Sequence, residues 1–227
     1  SAIFFNPSGK MVYRLPDQSF NPARIEELLP GQLEFSGWRS DLPLGSYMVL
    51  RVDPRPTPGL FLYHAKNVRI ENVAVHFAFG MGLLAQLSEN ITLDKFRVCR
   101  RGDGDPRLFT THADATHFSG CRGLIRSENG FYEGMNDDAI NVHGTYLKVL
   151  ERLDARTLRA AYQHEDAWGF EWGRPGDALQ LIRSKTMEYL DGICHLAAIR
   201  PVDAPTYVGA KVFDLEMDRP LPDLPEG

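Results

Sequence analysis

The chain has 227 residues, of which 43% are hydrophobic and 24% are charged, and this balance is typical of a packed protein rather than a disordered one. Its net charge of −5 lacks the basic surface that nucleic-acid binding requires. No run approaches the about 20 apolar residues that cross a bilayer. We therefore expect neither a nucleic-acid partner nor a membrane partner. The cysteines number three and have no metal-ligand spacing, which predicts free thiols.

The first part of the chain, residues 1–57, predicts a small antiparallel β module. Within it, residues 22–29 are predicted as a short helix, because Asn21 can cap the first turn and Pro22 suits the first helical position. Residues 44–51 begin with a glycine turn and continue as a predicted strand.

The middle of the chain has a period of 23 residues. Residues 59–73 align with residues 82–96, and both copies contain Asn followed by alternating apolar and polar residues. Such alternation indicates short strands with one buried face, and the recurring Asn indicates a turn between strands. A third copy is placed at residues 114–129, after an insertion at residues 100–110 that is rich in Gly, Asp and Arg. A fourth copy is placed at residues 131–142.

This period predicts an all-β fold in which residues 58–145 form a parallel β-helix. Each coil stacks on the next at about 4.8 Å and contributes to a shared core. Leucine-rich repeats have a similar length, but their Leu-x-x-Leu-x-Leu-x-x-Asn frame is absent from this sequence. The β-helix is therefore the favoured architecture.

The last part of the chain, residues 146–227, predicts a second antiparallel β module that is attached to the coils or inserted in them. Residues 146–161 resemble a hairpin with its bend at residues 154–156, and residues 175–183 repeat the pattern of a glycine turn followed by a strand. Because only about four coils are visible, we expect the sequence to be a piece of a longer protein.

Three aspartates are the candidate catalytic residues. Asp114 and Asp138 are 24 residues apart, which is one coil, and Asp137 is next to Asp138. Carboxylates held close together cannot all ionise cheaply, and an acid with a raised pKa beside an ionised base is what glycoside hydrolysis uses. Two alternatives stay open: Asp at a coil turn can cap backbone N–H groups, and strict alternation places Asp138 inward with Ile140 and Val142.

Further polar and aromatic residues are candidates for binding a sugar. Imidazoles could orient a carboxylate or bind hydroxyls, guanidinium groups could clamp the substrate or pair with the aspartates, and indoles could cover the apolar face of a sugar ring. Each could also be an ordinary surface or core residue. No His and Asp spacing matches a metal-binding motif, so we predict no metal site. The candidates are His112, His117, Asn136, His143, Arg122, Trp168 and Trp172.

Several of these phrases together resemble glycoside hydrolase family 110. They are Asp-Ala-Thr-His-Phe at residues 114–118, Gly-Met-Asn-Asp-Asp-Ala-Ile-Asn-Val-His-Gly at residues 134–144, Phe170, and Pro-Gly-Asp at residues 175–177. The resemblance covers about residues 20–196. It implies an exo-acting α-1,3-galactosidase with a right-handed parallel β-helix and inserted β-barrel domains.

The same resemblance implies more about the chemistry. The family's three active-site aspartates match Asp114, Asp137 and Asp138. Family members hydrolyse with inversion and need no cofactor, and their substrates are galactose-terminated oligosaccharides or glycoconjugates. A secreted or periplasmic location is also implied.

Other functions stay open from the sequence. A polygalacturonase-like hydrolase also has an Asp and an Asp-Asp pair in adjacent coils, but no Gly-His-Gly or Arg-Ile-Lys phrase supports it. A polysaccharide lyase would need a basic residue for proton abstraction and usually Ca²⁺. In a non-catalytic carbohydrate-binding β-helix, Asp138→Asn would leave sugar affinity intact. The oligomeric state is not predicted.

Overall fold

The computed structural model describes residues 2–15, 20–39, 41–51, 55–164, 171–190, 192–204 and 211–221. These residues form strands, turns and bends and contain no helix, in agreement with the all-β expectation. In particular, none of them contributes to a helix with the length and hydropathy needed to cross a bilayer. The chain divides into two compact units, Ser1–Val142 and His143–Gly227.

Fifteen strands are described before the second sheet-forming region begins. They are β1 Ala2–Phe5, β2 Met11–Leu15, β3 Arg24–Leu29, β4 Gln32–Ser36, β5 Tyr47–Leu50, β6 Leu60–Tyr63, β7 Lys66–Glu71, β8 Ala74–Val75, β9 Leu83–Gln86, β10 Glu89–Asp94, β11 Arg97–Val98, β12 Thr116–Ser119, β13 Arg122–Glu128, β14 Phe131–Tyr132 and β15 Ile140–His143.

The first five strands are antiparallel. Strands β2, β1 and β5 form one sheet in that order, and β3 pairs with β4 as a hairpin. The predicted helix over residues 22–29 is therefore wrong. Gly31 has φ 78°, so the Pro30-Gly31 pair supplies a tight turn that folds β3 onto β4. The pairing outweighs the capping signal at Asn21 and Pro22, because helix signals are weak where tertiary or hairpin contacts compete.

The next ten strands form three parallel sheets. Their orders are β15-β12-β9-β6, β13-β10-β7 and β14-β11-β8. Paired residues in the first two strands of each sheet are 23 positions apart, as in Leu60 opposite Leu83. The predicted alignment therefore coincides with the strand register. The start predicted for the fourth copy is wrong, because β14 at Phe131–Tyr132 pairs with β11 and belongs with the third set of strands.

The recurring asparagines bend the chain where the sequence analysis expected turns. Asn67 and Asn90 have φ values of 54° and 55°, a left-handed conformation that Asn tolerates better than most residues. The Asn90 side-chain amide donates to Asn67 Oδ1 at 3.1 Å, and Asn90 Oδ1 accepts the N–H of Leu124 at 3.0 Å. The bends of adjacent strands are thereby joined by side-chain hydrogen bonds.

The core of the first unit lies between the parallel sheets. Alternate residues of β9 and β10 are fully buried, which matches the period of two that the sequence showed. Burial of one such Leu or Ile side chain contributes about 1.5–3 kcal/mol. The buried cluster consists of Leu83, Ala85, Ile91, Leu93, Phe96, Val98, Ala115 and Phe118.

Gly82 marks a place where two backbones approach closely. A Cβ on Gly82 would lie 2.6 Å from the carbonyl oxygen of Ala115, while the Gly82 N–H donates to the Asp114 carbonyl at 2.9 Å. We expect Gly82→Ala to lower the free energy of unfolding by about 1–3 kcal/mol, measured by urea denaturation, because the backbones must separate. Gly104→Ala is the control, since a Cβ there meets no atom within 4 Å. Equal urea midpoints for the two variants would contradict the close approach.

The second unit is built on an antiparallel sheet. Its strands are β16 Leu147–Arg152, β17 Thr157–Tyr162, β18 Ala178–Leu179, β19 Cys194–Val202 and β20 Val212–Met217, in the order β16-β17-β20-β19-β18. The hairpin predicted over residues 146–161 is present as β16 and β17. Asp154 fixes its bend, because its Oδ1 accepts the N–H groups of Arg156 at 2.7 Å and Thr157 at 2.9 Å.

Candidate functional site

The structure brings together the three candidate aspartates. One carboxylate oxygen from each of Asp114, Asp137 and Asp138 lies within 4.8 Å of the other two. Strand pairing explains the proximity, because Asp114 precedes β12, the other two precede β15, and the Ala115 N–H donates to the Asp138 carbonyl at 2.8 Å. The separation of one coil in sequence thus becomes a single acidic cluster.

The question of whether Asp138 points inward is answered by a bend. Residues 134–139 form bends and irregular backbone, and β15 begins only at Ile140, so strand alternation does not extend back to Asp138. The Thr116 N–H donates to the Ala139 carbonyl, which aligns Ile140 with the buried face of β12 and β9. Ile140 and Val142 are nevertheless 48% and 56% exposed, because β15 is the last strand of its sheet in the described residues.

Asp114 is the buried member of the cluster, with 2% of its surface exposed. Its Oδ1 accepts the backbone N–H of Asp138 at 3.2 Å, and its Oδ2 is hydrogen-bonded to Nδ1 of His117. A buried carboxylate needs such partners to offset its lost hydration. His117 therefore holds Asp114 in a fixed orientation.

Asp137 faces two arginines from the segment after β5. Arg51 Nη2 lies 2.9 Å from Asp137 Oδ2, and Arg55 Nη2 lies 3.7 Å from the same oxygen. The side chain of Arg51 is only 11% exposed and that of Asp137 27%, so the closer pair is largely shielded from solvent. Screening by salt is correspondingly weak for this pair.

The pKa of the Asp137 carboxyl is raised above its usual value. Burial is the largest cause, and the neighbouring carboxylates of Asp114 and Asp138 add to it. The positive charges of Arg51 and Arg14 oppose the rise without cancelling it. Asp137 is therefore protonated at a higher pH than an exposed aspartate would be.

Asp138 is the exposed member of the cluster. Its Oδ2 accepts a hydrogen bond from the Asn141 side-chain amide at 3.2 Å. Asn141 lies on β15, so the strand that follows the acidic pair also orients one of its carboxylates. The three aspartates thus range from buried to exposed and have different hydrogen-bond partners.

Two further candidates are buried near this segment. Asn136 is 1% exposed, its backbone N–H donates to the Thr111 carbonyl at 3.0 Å, and its side-chain amide has no hydrogen-bond partner among the described residues. His112 is 7% exposed and contacts the rings of Phe77, Phe79 and Phe109. Burial lowers the pKa of His112, which keeps its ring neutral at pH 7.

The remaining candidates lie elsewhere. Arg122 is the first residue of β13, in another parallel sheet, and its backbone N–H donates to the Ser88 carbonyl at 2.8 Å. His143 ends β15, falls in the second unit, and its Nδ1 lies 3.0 Å from the Gly144 carbonyl. Trp172 also belongs to the second unit, where its indole N–H donates to the Thr145 carbonyl and its ring packs on the core. Trp168 lies outside the described residues.

Sequence reasoning did not find Arg51 and Arg55. They precede the first copy of the repeat, so no spacing rule relates them to Asp137. Three carboxylate oxygens within 4.8 Å could in principle contact one cation, but Asp137 already faces two guanidinium groups. This arrangement favours proton transfer over metal binding, because a second cation beside the arginines would be repelled.

Comparisons with known proteins identify clear relatives, although no family model matches the chain. The chain is 53% identical over 212 residues to alpha-1,3-galactosidase B of Phocaeicola vulgatus, which covers 93% of the chain and 36% of that protein. It is 50% identical over 219 residues to alpha-1,3-galactosidase B of Parabacteroides distasonis, with 96% and 36% covered. It is 32% identical over 197 residues to alpha-1,3-galactosidase A of Bacteroides fragilis, with 86% and 31% covered. The chain therefore spans about a third of the length of these curated relatives.

Proposed function

Because this chain belongs to the same family as the alpha-1,3-galactosidases, we propose that it acts as a glycoside hydrolase that releases terminal α-1,3-linked galactose from oligosaccharides or glycoconjugates. The observation that carries the proposal is the cluster of Asp114, Asp137 and Asp138, in which one carboxyl has a raised pKa. Glycoside hydrolysis uses such a pair of carboxyl groups, one as acid and one as base or nucleophile. A secreted or periplasmic location is part of the proposal.

The proposed architecture is a right-handed parallel β-helix with antiparallel β-barrel modules. Three parallel sheets whose paired strands are 23 residues apart support the coil arrangement. The antiparallel sheets of residues 2–50 and 147–217 support the modules. In such a fold each coil presents a short irregular segment beside its strands, which is where the aspartates lie.

Asp137 is the proposed general acid. Its raised pKa keeps a proton on the carboxyl at a pH where an exposed aspartate has lost it, and that proton is needed on the glycosidic oxygen as the bond breaks. Arg51 then stabilises the carboxylate that the proton transfer leaves behind, because its guanidinium lies 2.9 Å away.

Asp138 is the proposed general base. It is the exposed carboxylate, so water can reach it, and Asn141 orients it. Asp114 has a positioning role, since it accepts the backbone N–H of Asp138 and is itself held by His117. In this scheme one carboxyl donates a proton to the leaving oxygen while another removes a proton from the attacking water.

Inversion is the proposed stereochemical course, because the family resemblance implies it. An inverting enzyme separates its acid and base by about 6.5–9.5 Å to admit water, whereas the nearest oxygens of the cluster lie within 4.8 Å of one another. Rotation of the exposed Asp138 side chain would widen the gap. The anomer of the product is therefore the decisive measurement.

The experiment uses two proteins: this chain by itself, and the Phocaeicola vulgatus relative with its matching 212-residue segment replaced by this chain. Each is incubated with α-1,3-linked digalactoside, and proton NMR follows the first-formed galactose. We expect β-galactose to appear first and to convert slowly to the α form by mutarotation. An initial α product would contradict inversion.

Controls in the same experiment address the other functions. Polygalacturonate tests a uronate-specific hydrolase, and digalactoside binding without turnover would indicate a carbohydrate-binding protein. If the digalactoside is bound but hydrolysed by neither protein, the hydrolase proposal is wrong.

A further inference from the structure

An aromatic cluster lies beside the acidic cluster and is not used in the scheme above. Here the aromatic cluster means the rings of Phe77, Phe79, Phe109 and His112. Phe77 and Phe79 meet edge to face at 5.0 Å, and Phe109 meets His112 edge to face at 5.1 Å. The guanidinium of Arg107 lies 5.5 Å from the centre of the Phe77 ring. Such contacts hold the rings in defined orientations.

Phe79 is the exposed ring of the aromatic cluster, with 54% of its surface accessible. One of its faces is stacked on His112, with ring centres 5.5 Å apart and planes 23° apart. His112 is buried and neutral at pH 7, so it forms an uncharged base beneath the exposed ring. The opposite face of Phe79 is left open to solvent.

Backbone pairing places Phe79 close to the acidic cluster. The His112 N–H donates to the Ala78 carbonyl at 3.2 Å, and the Gly82 N–H donates to the Asp114 carbonyl at 2.9 Å. The segment that carries Phe79 therefore runs beside the segment that ends in Asp114. His112 and Asp114 are two residues apart, at most about 7 Å along the backbone, so the stacked pair is within the length of one or two sugar rings of the carboxylates.

The insertion at residues 100–110 builds part of this surface. It supplies Phe109 and Arg107, and it is fixed by Asp105, whose Oδ1 lies 3.0 Å from Nε of Arg107. The hydrogen bond to Arg107 is also the main cause that lowers the pKa of Asp105 well below its usual range. Loops that interrupt a regular scaffold often carry binding residues.

We propose that the open face of Phe79 binds the sugar that precedes the terminal galactose, so that the aromatic cluster forms the leaving-group subsite. A hexose presents an apolar C–H face to a flat ring while its hydroxyls stay in water or bind polar groups. This inference rests on the proposed function, because it takes Asp114, Asp137 and Asp138 as the place where the glycosidic bond is cleaved. It assigns the recognised ligand as a pyranose in the position released from galactose.

The test compares two substrates that differ only in their leaving group. The α-1,3-linked digalactoside has a sugar that can stack on Phe79, whereas α-galactosyl fluoride has no leaving-group sugar. In this chain and in the hybrid protein described above, we expect Phe79→Ala to lower kcat/KM on the digalactoside at least fivefold, mainly through KM. The same variant should stay within twofold of the unaltered protein on the fluoride.

Two variants control for folding and for the kind of contact. Phe79→Trp keeps a flat ring and should retain most of the digalactoside activity. Phe131→Ala removes a ring that is 52% exposed on β14, outside the aromatic cluster, and should affect neither substrate.

The possible outcomes separate the two proposals. An equal loss on both substrates, or no loss on either, overturns the assignment of Phe79 while leaving the hydrolase intact. If the unaltered proteins hydrolyse neither substrate, the proposed function fails and this subsite fails with it. A loss confined to the digalactoside and restored by Phe79→Trp supports the subsite.

Discussion

Replacing Asp137 with Asn is expected to lower kcat/KM on the α-1,3-linked digalactoside by about 10²–10⁴-fold. Asn has nearly the same shape as a protonated Asp, but it cannot transfer a proton to the glycosidic oxygen. The expected loss on α-galactosyl fluoride is less than about tenfold, because fluoride leaves without full protonation by an acid. Steady-state kinetics on the two substrates measures the difference.

Two further variants make this expectation specific. Asp138→Asn should reduce turnover of both substrates, since water must be activated in either reaction. Asp103→Asn removes an exposed carboxylate in the insertion and should leave both rates unchanged. Equal losses on digalactoside and fluoride for Asp137→Asn, in a variant with unaltered circular dichroism, would show that Asp137 is not the acid.

The repeat and the acidic cluster are the parts that sequence reasoning predicts well. A parallel strand pair imposes one register on many residues, so a period of 23 appears both in the sequence and in the pairing of Leu60 with Leu83. The proximity of Asp114 to Asp138 follows from the same register, because each begins a strand of the same sheet. Local periodicity therefore carries this long-range information.

The neighbours of the aspartates could not be predicted in the same way. Arg51 reaches Asp137 across a connection of 85 positions that has no period. Asp138 escapes strand alternation because the chain bends before Ile140, and a bend of this kind depends on contacts rather than on local composition. The hairpin over Arg24–Ser36 was missed because its helix-like start competes with a Pro-Gly turn.

The pH dependence of activity is expected to reveal the role of Arg51. Its positive charge, 2.9 Å from Asp137, opposes the pKa rise that burial causes. Removing that charge in Arg51→Gln should raise the pKa of Asp137 further. Because the acid must be protonated, activity falls as pH rises through this pKa, so the alkaline limb of kcat/KM should move to higher pH.

A structural role of Arg51 is separated from this electrostatic role by a conservative change. Arg51→Lys keeps the positive charge and should keep the alkaline limb close to that of the unaltered protein. Arg55→Gln should move the limb in the same direction but by less, because Arg55 is 3.7 Å from the carboxylate. Arg69→Gln, which removes an exposed arginine paired with Asp94, should not move it.

The direction of the shift distinguishes the groups around Asp137. The charged groups that act on it are Arg14, Arg51, Arg55, Asp114 and Asp138. Loss of a cation raises the pKa of the acid, whereas neutralising either neighbouring carboxylate lowers it, so an arginine variant and an aspartate variant must displace the alkaline limb in opposite directions. An alkaline limb that moves to lower pH in Arg51→Gln would mean that another group donates the proton, since a cation beside Asp137 has only one possible sign of effect.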